Sequence, residues 1–223
     1  MIRKSKSEFI RGVLLFNPPV FGAPGTPQEV SRISSKIADY HSRDGGMWNY
    51  QNLFDVVNKV LKGLDKQHAH DFLASLDGPG ESRAKTYLFE FLIEELGLDE
   101  AEYVDVGPST QLIGEDVELK IRPDFGFRRA GKIYHVLVYP NREPALKRSQ
   151  KEAIIAALAQ PIPSAIEEYR FCLVEYPMVG DKRSGNLEIY PFEYRNVDAD
   201  FLKHMATYYK ELDAYRPQGD LFS

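Results

Sequence analysis

The feature that most constrains the fold is a strand, a helix and a strand that follow one another in the second half of the chain. KIYHVLVYP at 132–140 and YRFCLVEYP at 169–177 are apolar and rich in β-branched and aromatic residues, as buried strands are. PALKRSQKEAIIAALAQ at 144–160 lies between them with helical spacing, and it starts with a proline, which a first helical turn tolerates. Strands joined in this way usually form a crossover between parallel neighbours. The pattern predicts a mixed sheet covered by helices on both faces.

Flanking segments extend this unit. AEYVDVG at 101–107 and VELKIRPDFGFRR at 117–129 predict two more strands, and the Arg-Ala-Gly-Lys turn at 129–132 predicts a hairpin. The strand NLEIYPFEY at 186–194 and the helix ADFLKHMATYYKELDAY at 199–215 follow. Before the strands, ESRAKTYLFEFLIEELG predicts an amphipathic helix that ends at a glycine and turns these residues inward: Ala84, Tyr87, Leu88, Phe91, Leu92 and Leu96. The predicted fold class is α/β (α+β), with a mixed sheet flanked by helices.

The chain divides by composition into three parts. Residues 1–78 are predicted to form an N-terminal arm and a helical layer, because FNPPVFGAPGTPQ forbids long regular structure and two short helical patterns follow it. Residues 79–214 are the predicted core. Residues 215–223 form a polar C-terminal tail. The structured part is expected to be long enough to bury a substantial core.

Composition indicates a cytoplasmic protein. The sequence has no run of eighteen apolar residues and no pattern of a secretory signal, so neither a membrane span nor export is expected. Cys172, the single cysteine, lies in an apolar run and is predicted to be a buried strand residue. His68 and His70 are predicted to lie at the surface, since no His or Cys pair has zinc-site spacing.

The formal charge of −5 conceals a basic island between Lys120 and Lys151. That segment has nine basic residues and two acidic ones, so it carries +7 and the rest of the chain carries −12. Backbone phosphates supply most of the non-specific affinity for nucleic acid, so such an island is typical of a phosphate-binding face. The alternative is that these are solvated surface charges. The candidate nucleic-acid contacts are Arg128, Arg129, Lys132, Lys147, Arg148 and Lys151.

The order of elements, the Pro123-Asp124 pair, the glycine turn and the strand ending Val138-Tyr139-Pro140 resemble the PD-(D/E)XK, or restriction-endonuclease-like, nuclease family over residues 81–194. The resemblance implies a divalent-metal site in which Asp124 is the first ligand. Leu137 falls where the family has its second acid, and Tyr139 where it has its lysine. Leucine cannot bind Mg²⁺ and tyrosine carries no positive charge, so the motif departs at two of its three positions.

Two interpretations of this site follow. In the first the site is inactive and needs no cofactor. In the second the residues have migrated: Glu81 and Asp124 bind Mg²⁺ or Mn²⁺, Lys147 or Lys151 replaces the lysine, and His135 and Tyr139 line the pocket. Each residue also has a structural interpretation, as a core histidine, a packing tyrosine, a first-turn helix acid and a turn or cap aspartate.

The tail gives an independent hint. Its residues Gln218, Asp220, Leu221 and Phe222 resemble the short peptide with which bacterial replication and repair proteins bind the sliding clamp. Two terminal apolar side chains can anchor in a pocket while polar groups fix the register. The alternative is that Leu221 and Phe222 pack back on the domain or fray.

The leading hypothesis is a nucleic-acid-binding, catalytically degenerate nuclease-like protein. DNA is the expected partner, and the setting is DNA repair or processing, mobile-element transposition or phage defence. One alternative is an active divalent-metal-dependent DNA nuclease with migrated residues. The other is a protein-interaction subunit that makes no contact with nucleic acid.

Overall fold

The computed structural model describes most of the predicted core. The described residues are 1–15, 35, 50–76, 78–107, 109–113, 115–140, 146–159, 162, 168–176, 178–179, 182–191 and 199–214. The run FNPPVFGAPGTPQ and the predicted clamp-binding tail lie outside them, so both remain sequence predictions.

The described residues form a strand and a helix, then three successive helices, a run of five strands, a helix, a run of four strands and a final helix. The helices are α1 (Lys6–Leu15), α2 (Gln51–Leu61), α3 (Lys66–Ser75), α4 (Pro79–Leu96), α5 (Arg148–Ala159) and α6 (Ala199–Ala214), with a 3₁₀ turn at Leu98–Glu100. The strands are β1 (Ile2–Ser5), β2 (Glu102–Tyr103), β3 (Ser109–Ile113), β4 (Val117–Ile121), β5 (Phe125–Arg129), β6 (Lys132–Tyr139), β7 (Tyr169–Glu175), β8 (Met178–Val179), β9 (Lys182–Arg183) and β10 (Asn186–Tyr190). No helix in these ranges is long and apolar enough to cross a membrane.

A five-stranded mixed sheet of order β10-β7-β6-β5-β2 forms the centre of the protein. β6 and β7 are parallel and are joined through α5, as the strand-helix-strand pattern predicted. β5 and β6 form the predicted hairpin, with Arg129 paired to Lys132. Ala130 and Gly131 both have positive φ, 48° and 73°, which suits the two-residue turns that join twisted strands. The mixed sheet flanked by helices is therefore confirmed.

The segment VELKIRPDFGFRR is not one strand, contrary to the prediction. Its first part, β4, lies between β1 and β3 in a separate three-stranded sheet, and its second part, β5, belongs to the central sheet. The break falls at 122–124, where Pro123 has no N–H to donate to a ladder. The chain leaves one sheet there and enters the other, so the residue after the proline lies at the start of β5.

The first fifteen residues are regular, in contrast to the irregular arm that the sequence predicted at this end of the chain. β1 pairs in parallel with β4, from Ile2 opposite Val117 to Ser5 opposite Lys120. α1 follows directly, and its Phe9 and Val13 are fully buried. The first fifteen residues therefore complete a sheet and contribute to the core.

The central sheet has an apolar core on each face. Phe125, Phe127, Val136 and Val138 pack with residues of α2, α3 and α4. The alternate residues Leu137 and Tyr139 pack with α1, α5, α6 and the three-stranded sheet. Helices thus cover both faces, as predicted, and period-two alternation separates the two cores.

α4 ends as predicted, although one residue of its inward face differs. Tyr87 is exposed, and the inward position is taken by Lys85, whose side chain is fully buried. Gly97 has φ 57° and closes the helix in the left-handed conformation. The Arg129 guanidinium donates to the carbonyl of Leu96, so this arginine binds the end of α4.

Replacing Gly97 with alanine is expected to lower the free energy of unfolding by about 2–3 kcal/mol. The left-handed conformation is strained for alanine, and its Cβ would also collide with the Arg129 guanidinium that bonds the helix end. Gly131→Ala is the matched control, because its φ is also positive but a Cβ there meets nothing within 4 Å. Urea denaturation of both variants measures the difference, and equal losses would show that Arg129 adjusts without cost.

Candidate functional site

The site lies at the carboxyl edge of the central sheet, which we define as the edge where β6 and β7 end at Tyr139 and Glu175 and where β5 begins after Asp124. Tyr139 and Glu175 are register partners on adjacent parallel strands. Asp124 donates its backbone N–H to the carbonyl of Val136, 2.7 Å away. Two acids therefore flank the end of β6, one on each side.

Asp124 is held by a lysine from the N-terminus. Its Oδ1 accepts from the Lys6 ammonium, and its Oδ2 accepts from the backbone N–H of Val138 at 2.8 Å. The Asp124 side chain is 5% exposed and that of Lys6 is 26% exposed, so the lysine lies on the solvent side of the pair. Both oxygens of this carboxylate therefore have protein donors.

A capping box places Lys6 there. The backbone N–H of Ser5 donates to Glu8 Oε2 at 2.9 Å, and the backbone N–H of Glu8 lies 3.4 Å from Ser5 Oγ. This reciprocal pair starts α1 directly after β1 and makes Lys6 the first helical residue. Desolvation works against the Glu8 charge, but the bonds from Ser5 and Lys4 outweigh it and lower the pKa of Glu8.

Burial dominates the electrostatics of Asp124. Removal from water raises the pKa of the carboxyl above its ordinary value, while the Lys6 charge and the Val138 N–H oppose that shift. The Asp124 carboxylate therefore depends on the nearby Lys6 charge to stay ionised in a buried position.

Glu175 is the second buried acid of this edge, and its side chain is 5% exposed. Its Oε1 accepts from the backbone N–H of Leu146 at 2.9 Å, just before α5. Its Oε2 pairs with the ammonium of Lys151, which also pairs with Glu188 on β10. Glu175 thus fastens the start of α5 to the end of the sheet.

Lys151 lies between two acids, Glu175 and Glu188. Desolvation opposes the charge of Lys151, but hydrogen bonds and attraction from Glu175 and Glu188 outweigh it and raise the lysine's pKa. Desolvation likewise opposes ionised Glu188, but bonds from Lys151 and Tyr190 lower its pKa. Lys151 and Glu188 are therefore both ionised near neutral pH.

The described residues at this edge do not fit a divalent metal. Leu137 and Tyr139 pack in the core and supply no carboxylate, and both oxygens of Asp124 and of Glu175 already accept bonds from the protein. Within the described ranges, no group of three or more His, Cys, Asp or Glu side chains is placed to hold a metal ion. A metal ion would have to displace a lysine from one of these buried acids before it could bind there.

Glu81 does not join Asp124. It pairs with the buried Lys85 one turn later on α4, at 2.9 Å, and α4 packs on the face of the sheet opposite Leu137. Among the described residues, Asp124 makes no hydrogen bond or ion pair with Glu81. The role of Glu81 as a metal ligand remains a prediction without geometric support.

His135 lies in the middle of β6 and packs edge-on against Tyr169, with ring centroids 4.9 Å apart. Burial lowers its pKa to about 4, so the ring is neutral at physiological pH. This arrangement agrees with the structural interpretation of a core histidine.

His135 is expected to make the fold acid-sensitive. Its folded pKa of about 4 lies below the reference value of 6.5, so the unfolded chain binds more protons between these values and stability falls as pH drops from 6.5 to 4. The full loss is on the order of 3 kcal/mol. Urea denaturation of the wild type and His135→Phe at pH 7, 6, 5 and 4 measures it. A constant difference between the two proteins at all four pH values would contradict this assignment.

The structure divides the six candidate nucleic-acid contacts between two ends of β6. Arg128, Arg129 and Lys132 lie at the hairpin, whereas Lys147, Arg148 and Lys151 lie at the carboxyl edge. The eight residues of β6 separate these ends by about 23 Å.

The six cations also differ in how they are bound. Arg129 is committed to the end of α4, and Lys151 to its two glutamates. Lys147 is exposed, and Arg148 is 87% exposed in a helical pair with Glu152. A cavity of about 320 Å³ beside Lys151 has a lining of both charge signs, so it favours no phosphate. Of these six cations, the exposed ones are therefore positioned to meet a phosphate.

Sequence reasoning missed Lys6 and Glu175. Glu175 lies within the apolar run YRFCLVEYP, where an acid next to a strand end could have indicated a buried ion pair. The Ser5-x-x-Glu8 spacing is a capping-box signal that predicts the start of α1. No sequence signal connects Lys6 to Asp124, which is 118 residues away.

Comparisons with known proteins assign no family. No protein-family model and no curated protein matches the sequence. Among solved structures, SSO0001 is similar with a TM-score of 0.35 and 14% identity, covering 83% of this chain and 86% of that one. A protein named as a putative exonuclease from Eubacterium rectale is similar with a TM-score of 0.46 and 14% identity, covering 96% of this chain and 82% of that one. Both TM-scores are too low to carry an argument about this chain.

Proposed function

We propose that this protein binds nucleic acid through the carboxyl edge of a restriction-endonuclease-like sheet and does not cleave it. We infer the absence of cleavage from one observation, which is that both buried acids, Asp124 and Glu175, are paired with lysines. A nuclease of this type needs carboxylate oxygens that are free to bind Mg²⁺. DNA repair, mobile-element processing or phage defence is the setting in which we place such a protein.

Support for binding comes from the start of α5. Lys147 and Arg148 are exposed there, at the same edge as the paired acids. α5 is anchored, because Leu146 donates to Glu175 and the Gln150 side chain donates to the carbonyl of Val13 at 3.1 Å. Because the backbone of α5 is already fixed, binding a phosphate does not require this segment to become ordered, although the two exposed side chains still lose rotamer freedom.

Reversing both charges in Lys147→Glu/Arg148→Glu is expected to weaken binding of duplex DNA more than tenfold. The slope of log K against log salt should also become shallower by about 2. Arg128→Glu/Lys132→Glu is the matched control, because it changes the net charge equally at the other end of β6. Fluorescence anisotropy across 50–300 mM salt provides the measurement. Equal losses in both variants would place binding outside the carboxyl edge.

An active nuclease is the second candidate, and the lysine beside Asp124 is the observation that favours it. Lysine next to a metal-binding acid is what the family's chemistry requires, and here Lys6 contacts Asp124. Labelled duplex, single-stranded and branched DNA, each incubated with Mg²⁺, Mn²⁺ or EDTA, distinguishes the candidates on parallel retention and cleavage gels. Metal-dependent cleavage that Asp124→Ala abolishes would overturn our proposal. Neither retention nor cleavage would favour a protein-interaction subunit.

A further inference from the structure

The Lys6 ammonium is paired with a buried acid and is partly exposed to solvent. Asp124 is almost completely buried, and Lys6, at 26% exposure, covers it from the solvent side. An ammonium has three N–H donors, and the carboxylate uses one of them. The ring of Phe54 also lies near the ammonium, with its centroid 5.9 Å from the nitrogen. A solvent-facing cation is therefore fixed at the carboxyl edge.

We propose that Lys6 contacts a nucleic-acid phosphate and that Asp124 is its positioning residue. The acid that a nuclease would use to bind a metal here orients a lysine. The inference rests on the proposed function, which it deepens by naming a phosphate contact and the group that holds it.

The position of Lys6 makes it continuous with the other exposed cations. Asp124 precedes β5 and Glu175 ends β7, so two strand spacings, about 10 Å, separate the two acids across β6. Lys151 binds Glu175, Arg148 lies in the same turn of α5, and Lys147 directly precedes that helix. α1 and α5 are joined by the Gln150 bond to Val13. One phosphate backbone can therefore contact both groups of cations.

Charge and entropy both favour this role. Lysine side chains normally lose rotamer freedom when they bind a phosphate, but the pair with Asp124 already holds Lys6. A phosphate would bring a second anion to the ammonium and would not have to displace Asp124, because an ammonium has three N–H donors and the Lys6 side chain is 26% exposed. The buried carboxylate thus keeps the cation oriented in both states.

The variant that tests this is Lys6→Met/Asp124→Asn, which removes both charges and leaves the net charge unchanged. Its control is Lys66→Met/Asp99→Asn, because that ion pair, 2.5 Å between partners, is half-exposed on other elements. Loss of one phosphate contact is expected to reduce the slope of log K against log salt by about 0.9. The affinity advantage of the wild type over the variant should therefore be about eightfold larger at 0.1 M salt than at 1 M salt. Circular dichroism checks that both variants fold.

Two further measurements keep the test independent of folding. Lys6→Arg retains the cation and its partner, so it should retain the wild-type salt slope. In the wild type, bound DNA should protect Lys6, but not Lys66, from acetylation, as read by mass spectrometry. Wild-type affinity in Lys6→Met/Asp124→Asn, or equal acetylation of Lys6 with and without DNA, would overturn the inference and leave the proposed function intact. Failure of the wild type to bind any nucleic acid would overturn the proposed function itself.

Discussion

Lys6→Met is expected to lower the free energy of unfolding at pH 7 by about 3–5 kcal/mol, because it leaves the Asp124 carboxylate buried without its cation. The Val138 N–H remains as a donor, but one neutral hydrogen bond does not replace the desolvated ion pair. The methionine keeps most of the lysine's apolar length, so the loss reports on charge more than on packing.

The loss should depend on pH in a defined direction. Burial already raises the pKa of Asp124, and removal of Lys6 removes the largest opposing effect, so the folded pKa rises further. A carboxyl whose folded pKa exceeds its unfolded value favours folding below that unfolded value, and this advantage disappears as pH rises through the folded pKa. The deficit of Lys6→Met is therefore expected to shrink on acidification from pH 7 towards pH 4.

A mutant cycle separates the pair from its surroundings. Lys6→Met/Asp124→Asn should recover a large part of the loss, because neither partner is then left charged in a buried site. Lys66→Met should change stability by less than about 1 kcal/mol, since its partner Asp99 is half-exposed. Urea denaturation at pH 7 and pH 5 gives all of these values. A small, pH-independent effect of Lys6→Met would show that the pair contributes little to stability.

Local patterns account for the parts of the fold that the sequence predicted. The sequence predicts β6 and β7 because each is an apolar run rich in β-branched and aromatic residues, and it predicts α5 from helical spacing. Gly97 marked the end of α4, and the Ala130-Gly131 pair marked the hairpin, because both turns need positive φ. These features depend on neighbouring residues alone, so one sequence contains them.

Long-range pairing accounts for the parts that it did not predict. β1 is four residues long, and its partner β4 lies more than 100 residues away. Lys85 occupies an inward position on α4 because it pairs with Glu81, whereas periodicity assigned that face to Tyr87 and other apolar residues. Buried ion pairs of this kind depend on which acid meets which lysine in space, and periodicity does not encode that choice.

The clearest example is the carboxyl edge. The resemblance predicted Asp124 as a metal ligand, with Lys151 as one candidate for the missing lysine, and the structure places Asp124 before β5 and Lys151 on α5. Lys151, however, forms its ion pair with Glu175, whereas the lysine that pairs with Asp124 comes from α1. The sequence did not indicate which lysine pairs with which acid, and the structure shows that arrangement.

Glu175→Gln is expected to lower the free energy of unfolding by about 3 kcal/mol. The amide can still accept from Leu146, but its NH₂ group would then face the Lys151 ammonium as a second donor in a site that is 5% exposed. Glu188→Gln is the matched control, because Glu188 binds the same lysine but is 39% exposed. It should cost less than about 1 kcal/mol.

The functional consequence distinguishes this pair from an ordinary core contact. Glu175 anchors the start of α5 through Leu146, so its loss should loosen the helix that presents Lys147 and Arg148. We expect Glu175→Gln to weaken DNA binding severalfold at a temperature where the variant is still folded, and Glu188→Gln to bind as the wild type does. Anisotropy and hydrogen exchange at the start of α5 measure the two effects together. If Glu175→Gln binds DNA normally despite faster exchange, a fixed α5 is not needed for binding, and the exposed cations act as mobile surface charges.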